Sequence, residues 1–89
     1  MIEVSRTKDD PLEFEVVVRD AKDETRHRVT IDRQSCERLS KGHAPEQVLE
    51  AAFRFLLDRE PKESILRHFD VSVIARYFPE FERELPNYL

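Results

Sequence analysis

Two stretches of alternating polar and apolar residues, joined by a short and mostly polar link, constrain this chain more than any other feature. From Leu12 to Arg19, the residues Leu12, Phe14, Val16 and Val18 fall on one side, and Glu13, Glu15, Val17 and Arg19 on the other. From Thr25 to Ile31, Val29 and Ile31 alternate with Arg26, Arg28 and Thr30. Side chains of an extended strand point to alternate faces, so each stretch reads as a strand with one buried face. Asp20-Ala21-Lys22-Asp23-Glu24 lies between them as a turn, which makes the pair a β-hairpin. Charge selects the register. With Arg19 opposite Glu24, Glu15 faces Arg28, Phe14 faces Val29 and Leu12 faces Ile31; the competing register sets Arg19 against Arg26, and like charges directly opposite are unfavourable. Ile2 to Arg6 alternates in the same way and adds a candidate edge strand, ended by Asp9-Asp10-Pro11.

The rest of the chain reads as helical. Asp32 is a good N-cap for a short helix from Arg33 to about Lys41, closed by Gly42. Pro45 and Glu46 suit the first turn of the longest helix, Pro45 to about Glu60. Its residues Val48, Leu49, Ala51, Ala52, Phe53, Phe55 and Leu56 cover more than half of the circumference. A stripe that wide calls for burial on two sides, against the hairpin and against either the C-terminal segment or a second subunit, so a homodimer through this helix is one expectation. Pro61 restarts a helix with Ile65, Leu66 and Phe69 as its stripe. Asp70 or Ser72 then caps another from Val73 to Phe78, Pro79 stops it, and Glu80 to Leu85 adds one more turn. The expectation is a single α+β domain over residues 1–89. An N-terminal antiparallel β-hairpin of two or three strands (1–31) packs against three to four α-helices: a helical pair (32–60) and an aromatic-rich C-terminal helical segment (61–89).

Composition excludes several functions. The chain holds one glycine, whereas turns that lay backbone against a phosphate need several, so P-loops and dinucleotide-binding turns are ruled out. The single Cys36 cannot form an intramolecular disulfide, which makes a reducing, cytoplasmic setting the default. The N-terminus lacks a basic stretch followed by an apolar run, and no apolar run is long enough to cross a membrane, so neither a signal peptide nor a membrane role is expected. Charge is unevenly spread. Residues 1–24 hold four basic and eight acidic side chains, residues 25–42 five and two, and residues 43–89 six and nine. A weakly basic band thus lies between acidic flanks.

No catalytic, cofactor or metal site is expected. His27, His43 and His68 are scattered, and Cys36 and His43 lie seven apart with no second pair of ligands. Ser64 and His68 are four apart, but no Gly-x-Ser-x-Gly turn accompanies them. Paired catalytic carboxylates would need a cleft that raises one pKa, and the carboxylates here read as solvated faces.

Residues 26–59 partly resemble ribbon-helix-helix DNA-binding proteins. Arg26-His27-Arg28-Val29-Thr30-Ile31-Asp32 is similar to their basic strand, and Ala44-Pro45-Glu46-Gln47-Val48-Leu49-Glu50-Ala51-Ala52 to the start of their second helix. The resemblance implies a DNA-binding regulator or antitoxin in which Arg26, Arg28 and Thr30 read the major groove from a strand paired with its twin across a dimer axis. The partner of the Arg26–Ile31 strand separates the readings: an intrachain hairpin argues against this mode, an intersubunit ribbon for it. Ile65 to Phe78 also admits a helix-turn-helix reading with Phe69-Asp70-Val71-Ser72 as the turn, although its second helix offers only Arg76 to a phosphate.

The segment Ser64-Ile65-Leu66-Arg67-His68-Phe69-Asp70, followed by Val73-Ile74-Ala75-Arg76-Tyr77-Phe78-Pro79-Glu80-Phe81, resembles the C-terminal signature of short bacterial proteins of unknown function. Phe53 to Pro61 belongs to the same resemblance. Phe69, Tyr77, Phe78, Phe81 and Tyr88 concentrate here, and they can either fold back over the long helix or face a partner. Aromatic residues and arginine make good interface anchors, so Tyr77, Phe81, Tyr88 and Arg76 are the candidate docking residues. The chain therefore reads as a non-enzymatic interaction or regulatory module with a protein partner or itself, and the DNA-binding regulator is the alternative.

Overall fold

A computed structural model describes residues 1–89. Three antiparallel strands open the chain: β1 (Ile2–Asp9), β2 (Leu12–Arg19) and β3 (Glu24–Ile31). The hairpin register is the one that charge selects, with Arg19 opposite Glu24, Glu15 opposite Arg28, Phe14 opposite Val29 and Leu12 opposite Ile31. Arg19 and Glu24 pair directly at 2.8 Å, whereas Glu15 and Arg28 take diagonal partners. Glu15 meets Arg26 at 3.4 Å, and Arg28 leans toward Glu13 at 3.9 Å. β1 is longer than its alternation suggested, continuing to Asp9 past a register shift between Arg6 and Lys8. Such an irregularity on an edge strand discourages further strand pairing.

The chain then crosses over through α1 (Arg33–Ser40) and α2 (Pro45–Leu57) and returns as β4 (His68–Asp70), parallel to β3. Asp32 caps α1 as expected, accepting from the Ser35 N–H at 2.8 Å. Lys41 (φ 51°) and Gly42 (φ 88°) end it in left-handed conformations, the turn for which glycine is suited. α2 stops at Leu57, three residues short of the expected end.

β4 corrects the expected helix at Ile65–Phe69. Only a single 3₁₀ turn forms after Pro61 (Lys62–Ser64) before the chain becomes extended. Ile65 and Phe69 are both buried, and a spacing of four fits a helix face and a strand face equally well. The open edge of β3 decides between them. There the Arg28 N–H donates to the Arg67 carbonyl at 2.7 Å, and Val29 lies beside Phe69. An unpaired backbone donor at a half-buried sheet edge is costly, and β4 removes that cost. This also removes the helix-turn-helix reading, whose first helix is absent.

After β4, Asp70 accepts from the Ser72 N–H at 3.0 Å and starts a 3₁₀ turn (Val71–Val73) leading into α3 (Ile74–Tyr77). Phe78 leaves helical geometry (φ −130°, ψ 86°), as a residue before proline tends to. α4 (Phe81–Glu84) and a final 3₁₀ turn (Leu85–Tyr88) complete the chain. The result is α+β: a four-stranded sheet, order β1-β2-β3-β4, with its helices packed on one face.

The core lies between that sheet and α2, and extends under the C-terminal segment. All seven stripe residues of α2 are buried. On the sheet side, Phe53 stands 5.2 Å from the His27 ring and 6.1 Å from Phe69. On the other side, Phe55 takes edge contacts from Phe78, Phe81 and Tyr88 at 5.9, 5.1 and 5.9 Å. The wide stripe is therefore consumed within one chain. What α2 leaves exposed is Gln47, Glu50 and Arg54, a polar face, so the structure offers no apolar helix surface for the homodimer expected there.

Candidate docking cleft

The aromatic C-terminal segment does not seal the molecule completely. Where α2 ends, the chain turns through Ser64–Leu66 and α3 packs beside it, and a cleft of about 370 Å³ remains between them. Ile65, Phe69, Ile74 and Leu56 line its floor, Phe78 and Val73 its flanks, and Leu66 and Tyr77 its rim. The polar contributions come from Glu60 and Ser64. Apart from Met1, Leu66 and Tyr77 are the exposed large apolar side chains of the structure, 48% and 68% exposed, and both border this one cleft. Its volume lies within the range of roughly 300–1,000 Å³ usual for binding pockets.

The four expected docking residues divide. Tyr77 is at the rim. Arg76, its neighbour on α3, is exposed but does not line the cleft. Phe81 is a correction: at 1% exposure it is a core residue packed on Phe55, inaccessible to any partner. Tyr88 is half-buried and engaged. Its hydroxyl donates to Asp58 at 2.5 Å, and Arg59 reaches the same oxygen at 3.5 Å while stacking 3.6 Å over the Phe55 ring. Arg59 also meets Glu80 at 3.1 Å, so this corner fastens the end of α2 to the C-terminal segment. Leu66 is another correction: expected on a buried stripe with Ile65 and Phe69, it is exposed, and nothing in the run marks which of Ile65 and Leu66 faces the core.

A second, polar depression of about 220 Å³ lies over β3 and β4, lined by Glu15, Arg26, His27, Arg28, Arg67 and His68. It contains two of the three residues expected to contact DNA. The third, Thr30, is occupied: its hydroxyl donates to Asp70 at 2.6 Å. β3 carries β2 along one edge, and on the other β4 covers Arg28–Thr30. An intersubunit ribbon along Arg28–Thr30 would have to displace β4.

His27, on the inner side of β3, is 2% exposed and fully hydrogen-bonded. A carbonyl can only accept, so Nδ1–H donates to the Leu66 oxygen at 2.8 Å, and Nε2 then accepts from the Thr25 hydroxyl at 2.8 Å. Burial, aided by nearby Arg67, pushes its pKa below the ordinary histidine value and keeps the ring neutral. Ser64 and His68 belong to different depressions, one to the cleft and the other to the polar groove. No group of three histidine, cysteine or carboxylate side chains is placed to hold a metal ion. Cys36 is on the buried face of α1, where desolvation raises its thiol pKa. No helix is long and apolar enough to cross a membrane. Comparison with protein-family models, with curated proteins and with solved structures finds no match for this chain.

Proposed function

We propose that this chain is a non-enzymatic protein-interaction module that grips an apolar side chain of its partner in the cleft beneath Leu66 and Tyr77. One observation carries the reading: two large apolar side chains stand in solvent at the mouth of a cleft whose floor is itself apolar. Isolated exposed apolar residues need no explanation, but their convergence on one concavity is the pattern of a binding site. Tyrosine suits the rim, offering a large and rigid contact area at little entropic cost. Binding is favoured over catalysis because the cleft presents only Ser64 and Glu60 as polar groups, with no base paired to a nucleophile. A reducing, cytoplasmic setting goes with the lone buried Cys36.

A photo-crosslinking amino acid placed at Tyr77, with a control at Gln47 on the opposite polar face of α2, tests the reading in the source cell. The expected result is a protein adduct at position 77 that is absent at position 47 and is lost when Leu66→Ser is added, with the circular dichroism spectrum unchanged. Equal labelling at both positions, or an adduct indifferent to Leu66→Ser, would sink it.

A further inference from the structure

The cleft and the polar groove are separated by a single stretch of backbone. Leu66 stands at the rim of one, and the next two residues, Arg67 and His68, line the other. Whatever enters the cleft at Leu66 therefore passes close to the groove.

The groove carries a charge that the protein leaves unbalanced. Several cations elsewhere are tightly paired: Arg6 to Glu46 at 2.9 Å, Arg38 to Glu82 at 2.5 Å, and Lys62 to Asp20, Asp23 and Glu63 within 2.8 Å. In the groove only Arg26 is so held, by Glu24 at 2.9 Å and Glu15 at 3.4 Å. Arg28 comes no closer than 3.9 Å to a carboxylate oxygen, that of Glu13, and Arg67 makes no ion pair. Arg28 also sits beside His68 in the β3–β4 ladder, while the neighbouring carboxylate of Asp70 is turned to Thr30 and Ser72. In a chain of net charge −4, the lining thus sets three guanidinium groups against a single carboxylate, that of Glu15, which is held to Arg26. Guanidinium forks match carboxylate oxygens in geometry as well as charge.

We infer that the groove receives the side-chain carboxylates of an acidic segment of the same partner whose apolar anchor fills the cleft. The inference rests on the cleft being a docking site. A short acidic peptide fits the surroundings better than a polyanion: the groove has space for one or two anionic groups, and Glu13, Glu15 and Glu24 stand around it to repel a longer run of phosphates.

The test uses the full chain, immobilised and offered a displayed library of short random peptides. Enriched sequences should carry an apolar residue next to Asp or Glu. Reversing the groove with Arg28→Glu and Arg67→Glu, both exposed positions, should weaken these peptides on the order of tenfold at low salt and flatten their salt dependence. Tyr77→Ala should weaken them at all salt concentrations. Apolar peptides enriched with no acidic bias, or unmoved by charge reversal, would overturn the groove assignment and leave the cleft standing. No enrichment at all would overturn both. Displacement of the acidic peptides by a short DNA duplex at comparable affinity would give the groove to nucleic acid instead.

Discussion

The antiparallel sheet and the C-terminal segment are held in two different ways. In β1–β3 nearly every residue has a ladder partner, and the outward charges of Glu3, Glu15, Arg19, Glu24 and Arg26 are matched across strands. From Lys62 onward, secondary structure shrinks to three- and four-residue pieces, and what fixes them is side-chain packing on α2. Besides the short β3–β4 ladder, three polar contacts tie the parts together: His27 to the Leu66 carbonyl, Thr30 to Asp70, and Lys62 to the turn carboxylates of Asp20 and Asp23. Backbone ladders fix a strand along its whole length, whereas anchors fix a segment only where they sit. The contrast explains why the cleft lies in the C-terminal half, since short elements held by separate anchors leave gaps between them.

Removing an anchor should have the largest effect. Phe81 is fully buried against Phe55, so Phe81→Ala should destabilise the protein by about 3–5 kcal/mol, through lost transfer energy and the cavity left behind. Chemical denaturation would measure it. A loss under about 1 kcal/mol would mean that the C-terminal segment contributes little to the fold, and the contrast between anchored and laddered halves would fail.

Protonation of His27 comes next. Its folded pKa is depressed by burial, so folding favours the neutral ring; the stability this provides is present above the unfolded value, near 6.5, and is lost as pH falls below it. Thermal midpoints should therefore decline from pH 7.5 to 5.5, and His27→Gln should flatten the decline. Amide exchange should show the opening first around Leu66–Asp70, because the ring holds the carbonyl just before β4. Uniform loss of protection would show that the two halves do not separate there.

The Lys62 latch is a smaller test. Its side chain is 7% exposed, and its ammonium is caged by three carboxylates. Hydrogen bonding to Lys62 holds the Asp20 and Glu63 pKa values below the usual carboxylate range. Groups depressed in this way stabilise the fold above their unfolded pKa, near 4, and lose that contribution as pH falls through the lower folded values. Lys62→Met should lower the thermal midpoint at pH 7, and its difference from the wild type should shrink as pH drops below 4. A constant difference would mean that Lys62 acts through packing of its stem rather than through the cage.

How much of this was legible in the sequence follows the same division. The hairpin could be read to the residue because period-two alternation and opposite charges, Arg19 with Glu24 and Glu15 with Arg28, point to one register. α1 and α2 were legible from Asp32 and Pro45. β4 was not, since the spacing from Ile65 to Phe69 suits both a helix and a strand, and the choice was made by an edge of β3 some forty residues earlier. The cleft was less legible still. Its walls come from the end of α2, the Ser64–Phe69 stretch and α3, and no local pattern records that these three fail to close.

Tyr77 and Phe81 show the difficulty in one pair. They lie four apart and look equivalent in the sequence, yet one is 68% exposed and the other 1%. Pro79 separates them: Phe78 leaves helical geometry before it, so the two aromatics never share a helix face. Tyr77→Ala should consequently be the mildest of these changes to the fold, within about 0.5 kcal/mol of the wild type, as is usual for an exposed side chain free of special contacts. The same substitution should weaken the selected peptides at every salt concentration. If it cost as much stability as Phe81→Ala, Tyr77 would be an anchor like the others, and the cleft would be a packing defect rather than a site.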